Sequence, residues 1–189
     1  MDSEQLSHHK KRVVVFDLET QKLADEVGGW KNISAMRMSV GVTYTDEEGF
    51  LTFNEDNVKG LISILQGADL VVGFNHLRFD YEVLRAYSSE NLRALPNLDI
   101  LQEVQAVLGH RLNLDHLGGF TLNIKKKGHG LDAAKWFREG RMDLLEEYCR
   151  QDVKITRDLY RFGLAQGFLL YQRKDGTIAR IRVNWQGLP

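Results

Sequence analysis

The sequence predicts an α/β fold, a mixed five-stranded sheet flanked by helices with a β-hairpin at its C-terminal end. Three observations carry that reading. Val13 to Phe16 is a continuous apolar run, as in a strand covered on both faces. Met36 to Thr45 alternates apolar and polar residues strictly, and a turn and a second strand follow. Beyond Ile100 the apolar residues recur mostly at helical spacing as far as Phe168, where alternation returns.

Taken in order, residues 1–10 read as a flexible leader. The Val13–Phe16 strand delivers Asp17 at its C-terminal end. Gln21 to Ala35 contains Gly28-Gly29 and has no period, so a loop is expected. In the next strand Met36, Met38, Val40, Val42 and Tyr44 are apolar with polar or small residues between them, the pattern of a half-buried strand. Asp46-Glu47-Glu48-Gly49 supplies a turn into a hairpin partner over Phe50–Phe53. Val58, Leu61, Ile62 and Leu65 fall at helical spacing, with Gly67 as a stop. Leu70–Phe74 is a short buried strand, a helix follows around Phe79–Tyr87, and a brief strand lies near Leu95–Asp99. The helical stretch is expected to break at Gly109-His110, Gly118-Gly119, Gly128-His129-Gly130 and Gly140. Leu169–Lys174 and Thr177–Trp185, joined at Asp175-Gly176, read as the closing hairpin. Residues 11–167 thus form one domain, which 168–189 extend.

The totals fit a single globular unit. The chain has 189 residues, 43% hydrophobic and 27% charged, enough to bury a proper core. It has no apolar run of bilayer-spanning length and no N-terminal secretory pattern. Cys149 is the only cysteine, which excludes an internal disulfide and points to a reducing, cytoplasmic setting. A formal net charge of −1 argues against indiscriminate polyanion binding but conceals an asymmetry. Residues 1–100 hold 10 Lys/Arg and 16 Asp/Glu, whereas residues 101–189 hold 15 and 10. This suits an acidic metal-binding part beside a basic gripping part, or scattered surface charge.

Asp17 and Glu19 are two apart at a strand end, so their carboxylates point the same way, which is costly without a counter-ion. Asp80, in Asn75-His76-Leu77-Arg78-Phe79-Asp80, opens a helix; taken alone it reads first as a first-turn acid facing the helix dipole and second as a ligand. Leu145, Tyr148, Cys149, Val153, Thr156 and Tyr160 form a stripe on a helix from roughly 141 to 162. Asp152 falls inside that stripe, with Tyr148 one turn earlier. An ionised acid on a core-facing stripe needs a partner or a metal.

The ordered set Asp17-Leu18-Glu19, then Asn75 to Phe79-Asp80, then Tyr148-Cys149-Arg150-Gln151-Asp152 resembles the three motifs of the DEDD 3′→5′ exonuclease superfamily, whose fold is ribonuclease H-like. Tyr148 stands four residues before Asp152, and the position five before it is Glu147 rather than histidine. The chain is therefore similar to the tyrosine (DEDDy) subclass, which includes the exonuclease domains of family-B DNA polymerases. It also resembles small bacterial ribonuclease H-like proteins predicted to be nucleases. The resemblance implies two divalent ions, Mg²⁺ or Mn²⁺, held by Asp17, Glu19, Asp80 and Asp152. It further implies that Tyr148 orients the attacking water and that Thr20 touches the 3′-terminal nucleotide. Hard oxygen ligands suit such ions, and paired ions support in-line attack on a phosphodiester.

Lys125-Lys126-Lys127, on a glycine-flanked loop, are candidate phosphate contacts, and Asn75 is a candidate substrate contact. Arg173, Lys174, Arg180 and Arg182 either extend a groove or guard a strand edge. Phe74, Phe79 and Trp136 fit a stacked base or a core equally well. Asp99 reads as a helix cap. The expected function is a metal-dependent 3′→5′ exonuclease on single-stranded ends. The alternatives are a nuclease-like module that binds nucleic acid or recruits a helicase or polymerase without cutting, or a related endonuclease.

Overall fold

The computed structural model describes residues 11–124 and 130–186. The leader and the Lys125–Lys127 loop lie outside the described residues. Strands β1 (Val13–Thr20), β2 (Met38–Thr45), β3 (Gly49–Asn54), β4 (Leu70–Gly73) and β5 (Asn97–Asp99) form one sheet in the order β3-β2-β1-β4-β5. β1 pairs antiparallel with β2 and parallel with β4, so the sheet is mixed and β1 is central. Its continuous apolar run is thereby explained. Helix α1 (Val58–Gln66) links β3 to β4, and the short α2 (Asp80–Leu84) follows β4. Helices α3 (Ile100–Leu108), α4 (Leu114–Leu122), α5 (Gly130–Arg138) and the long α6 (Met142–Gln166) come next, then the hairpin β6 (Phe168–Gln172) and β7 (Ile178–Arg182).

The sheet separates two cores. On one face Val14, Phe16 and Leu18 of β1 pack with Leu61, Ile62 and Leu65 of α1 and with Val83 and Leu84 of α2. On the other, Val15, Val40, Val42 and Val72 meet Leu145, Cys149, Val153 and Leu159 of α6 and Leu117 of α4. Each fully buried aliphatic side chain contributes about 1.5–3 kcal/mol.

Four expectations change. β2 is not half-buried: Ser39, Gly41 and Thr43 are buried like the apolar residues between them, because helices cover both faces. Its alternation also breaks at a bulge. Glu19 pairs with Val40 but Thr20 with Met38, so Ser39 is skipped and Met38 turns to the α1 side. The expected loop over 21–35 contains two 3-10 helices, Ala24–Val27 and Trp30–Met36, the second kinked at Asn32. They are joined through Gly28 and Gly29 at φ +82° and +100°, values that disfavour any side chain. Gly118-Gly119 does not break the chain but lies inside α4. A Cβ on Gly118 would stand 2.8 Å from Ile155 Cγ2, so the residue lets α4 approach α6 closely.

The hairpin is a sheet of its own whose inner side chains, Leu169 and Ile181, are fully buried in the α6-side core. The Thr121 hydroxyl of α4 donates to Leu170 O (3.0 Å) and accepts from Leu170 N (2.9 Å), covering the outer edge of β6. Trp185 stacks on Tyr160 and lies against Gly163 of α6.

Candidate metal centre

Asp17 and Glu19 occupy alternate positions of β1 and face the α6 side, while Leu18 between them joins the opposite core. α6 crosses β1 at this level. Its buried face carries Leu145, Tyr148, Cys149, Asp152, Val153 and Thr156, the stripe read from the sequence. The Cys149 thiol donates to the backbone oxygen of Asp17 (3.4 Å) and lies 3.7 Å from its Oδ2. Asp152, one residue short of a full turn onward, thereby reaches the strand. One carboxylate oxygen from each of Asp17, Glu19 and Asp152 lies within 4.8 Å of the other two. Two ligands about 2.1 Å from one magnesium ion are at most about 4.2 Å apart, so small adjustments place this all-oxygen set around a hard cation.

Asp80, at the start of α2, is 2% exposed and lies outside that group of three. Its Oδ1 accepts the amide of Leu18 (3.2 Å), which tethers it to β1 between the two strand acids. Burial pushes its carboxyl up to about 8; the Asp99 charge adds to the shift, and the amides of Asp80 and Leu18 oppose it. All four acids act on the buried Cys149 thiol. Burial raises its pKa most, followed by Asp17, Glu19, Asp152 and Asp80. The thiol is thus held protonated among carboxylates.

Tyr148 is 5% exposed and meets Trp136 of α5 edge to face at 5.7 Å. The Thr20 hydroxyl donates to Lys22 O (2.9 Å) in a local turn. Asn75 has a left-handed backbone (φ +68°), and its side-chain oxygen accepts from Arg111 (2.8 Å). The three lysines fall outside the described residues.

Asp99 does more than cap a helix. Its carboxylate accepts the amides of Leu101 and Gln102 in the first turn of α3, and also those of Asn75 and Leu77. It therefore fixes the loop that presents Phe79 and Asp80. His76 in that loop is fully buried, with Nε2 3.0 Å from Asn97 Oδ1, and burial lowers its pKa despite the nearby Asp99. The ring is neutral at neutral pH. The spacing of Asp99 to the Ile100 run signalled the cap, but no local pattern announces a contact to residues two dozen positions earlier. Trp30, at 68% exposure, also escaped the sequence reading because its segment has no period.

No model of a known protein family matches the sequence, and no curated protein matches it. Among solved structures, the fold is similar to the family B DNA polymerase from the hyperthermophilic archaeon Pyrobaculum calidifontis, with a TM-score of 0.63 at 17% identity. The match covers 82% of this chain and 25% of the polymerase, so the chain spans about a quarter of that protein's length. The mixed five-stranded sheet, its flanking helices and the C-terminal hairpin make the fold ribonuclease H-like in kind.

Proposed function

We propose that this protein is a metal-dependent 3′→5′ exonuclease acting on single-stranded nucleic acid ends. The carrying observation is the convergence of Asp17, Glu19 and Asp152, two from a central strand and one from α6, until one oxygen of each lies within 4.8 Å of the other two. Three carboxylates this close repel one another unless a cation joins them. The order and spacing of the motifs, Tyr148 included, add the exonuclease character, and the likeness to a family-B polymerase fold is consistent with it.

In this reading Asp17, Glu19 and Asp152 would hold one divalent ion, Mg²⁺ or Mn²⁺, and Asp80, with Asp17, would help to hold a second. Such ions, when bound, supply Lewis acidity toward the attacking water and the departing 3′-oxygen. The Tyr148 phenol holds and orients the water through a hydrogen bond. Packing against Trp136 fixes the ring for that task. A high Asp80 pKa is compatible with a ligand role, because a neighbouring cation favours the ionised form.

The test uses single strands of DNA and RNA labelled at the 3′ or the 5′ end, with Mg²⁺, Mn²⁺ or EDTA. Stepwise loss from the 3′ end is expected. EDTA and Asp17→Ala should abolish it, and Tyr148→Phe should slow it by up to about a hundredfold through loss of positioning. Internal cuts would assign an endonuclease, and binding without products would assign a recruiting module.

A further inference from the structure

Trp30 is the most exposed large hydrophobic residue among those described, at 68%. It stands beside a cleft of about 260 Å³ lined by Trp30, Ile33, Asn75, Arg78, Phe79 and Arg111. Its indole meets the Phe79 ring at a tilt of 61° with centroids 6.2 Å apart, which leaves most of the indole face open. Both arginines are exposed, neither is ion-paired among the described residues, and no acid lines the cleft. Arg111 is aimed by its hydrogen bond to Asn75, whose left-handed backbone is itself held by Asp99. In sequence the cleft is tied to two of the acid-bearing elements: Phe79 directly precedes Asp80, and Trp30 belongs to the segment that follows β1.

A flat π face beside two guanidinium forks is complementary to a base and its phosphate: the ring offers stacking, and the forks offer bidentate contact. An apolar protein segment would leave both guanidinium groups facing uncharged surface. We propose that this cleft is a strand-reading subsite that stacks an unpaired nucleobase on Trp30 and holds the adjoining phosphate with Arg78 and Arg111. The proposal rests on the nucleic-acid reading above and deepens it. A base in a duplex has both faces covered by its neighbours, so the subsite selects single strands by shape rather than by sequence.

The test needs no catalysis. A fluorescein-labelled oligo(dT) of about ten nucleotides is titrated in EDTA, with anisotropy and tryptophan emission followed together. Binding should quench wild-type emission. Trp30→Ala should weaken binding roughly five- to a hundredfold, and Trp30→Phe should retain most of it. Arg78→Ala should weaken it and lower the salt slope by about one unit or less. A blunt duplex of equal length should be indifferent to Trp30→Ala. The proposal is overturned if the wild type fails to bind, if Trp30→Ala binds the oligomer like wild type, or if duplex binding falls equally. Added Mg²⁺ separates the two readings. Trp30-dependent binding without products sinks the exonuclease and leaves the subsite standing. Cleavage with KM unchanged in Trp30→Ala sinks the subsite alone.

Discussion

Asp80 carries a carboxyl in surroundings that favour its protonated form, and in the absence of metal this links folding to pH. Below its ordinary pKa of 3.8 the folded and unfolded states both hold the proton. Between there and about 8 the folded state keeps a proton that the unfolded chain has released, so stability falls as pH rises through that window. Above it the contribution is constant. Urea midpoints of the metal-free protein should therefore decline from pH of about 5 to about 8 by the equivalent of a few kcal/mol, and Asp80→Asn should flatten that decline. A wild type whose midpoint rises in parallel with the variant would remove the burial explanation. The same logic makes Asp17→Asn at least as stable as wild type in EDTA, with a gain of roughly 1 kcal/mol visible as a higher Tm, because one repelling charge leaves a group of three. A clear loss of stability would mean that Asp17 has a structural role in the metal-free protein.

Among the elements, α6 holds the molecule together, and its close contacts depend on small residues. A Cβ on Gly163 would stand 2.2 Å from the Trp185 ring, whose stacking on Tyr160 fastens the chain after β7 to the helix. Gly163→Ala should cost about 1–3 kcal/mol despite alanine's better helix propensity, and should red-shift Trp185 emission as the indole leaves its 2% exposed pocket. A stabilised variant would mean that the indole yields easily. Such elements were differently legible in the sequence. The Asp152 stripe on α6 and the apolar run of β1 are local periodicities, and the structure reproduces them. The polar residues of β2 are buried because of what lies above and below the sheet, which no alternation within one strand reveals. Gly118-Gly119 looked like punctuation, whereas tertiary packing against Ile155 outweighs their helix-breaking tendency. Asp99's grip on the Asn75–Leu77 amides is likewise a long-range fact.

Across the whole molecule, the acidic first part of the sequence and the basic second part are not segregated. Arg138 pairs with Glu26 and Arg161 with Asp46, so part of the charge difference becomes ties between distant segments. The carboxylates of Asp17, Glu19 and Asp152 are gathered in one place, with Asp80 close by. Millimolar Mg²⁺ or Mn²⁺ should accordingly raise the Tm of the wild type in proportion to the logarithm of ion concentration once the site is populated. Asp17→Ala should abolish that rise, and monovalent salt at equal ionic strength should not mimic it. A Tm indifferent to divalent ions would leave the carboxylates with no cation to hold.

Cys149 touches Asp17 across 132 positions of chain. A ribosome delivers β1 long before α6, so a half-made polypeptide carries Asp17, Glu19 and Asp80 without Asp152 and has none of the geometry. The three carboxylates meet only when the long helix closes over the strand, so a molecule lacking that helix cannot assemble the centre on which the proposed cleavage depends.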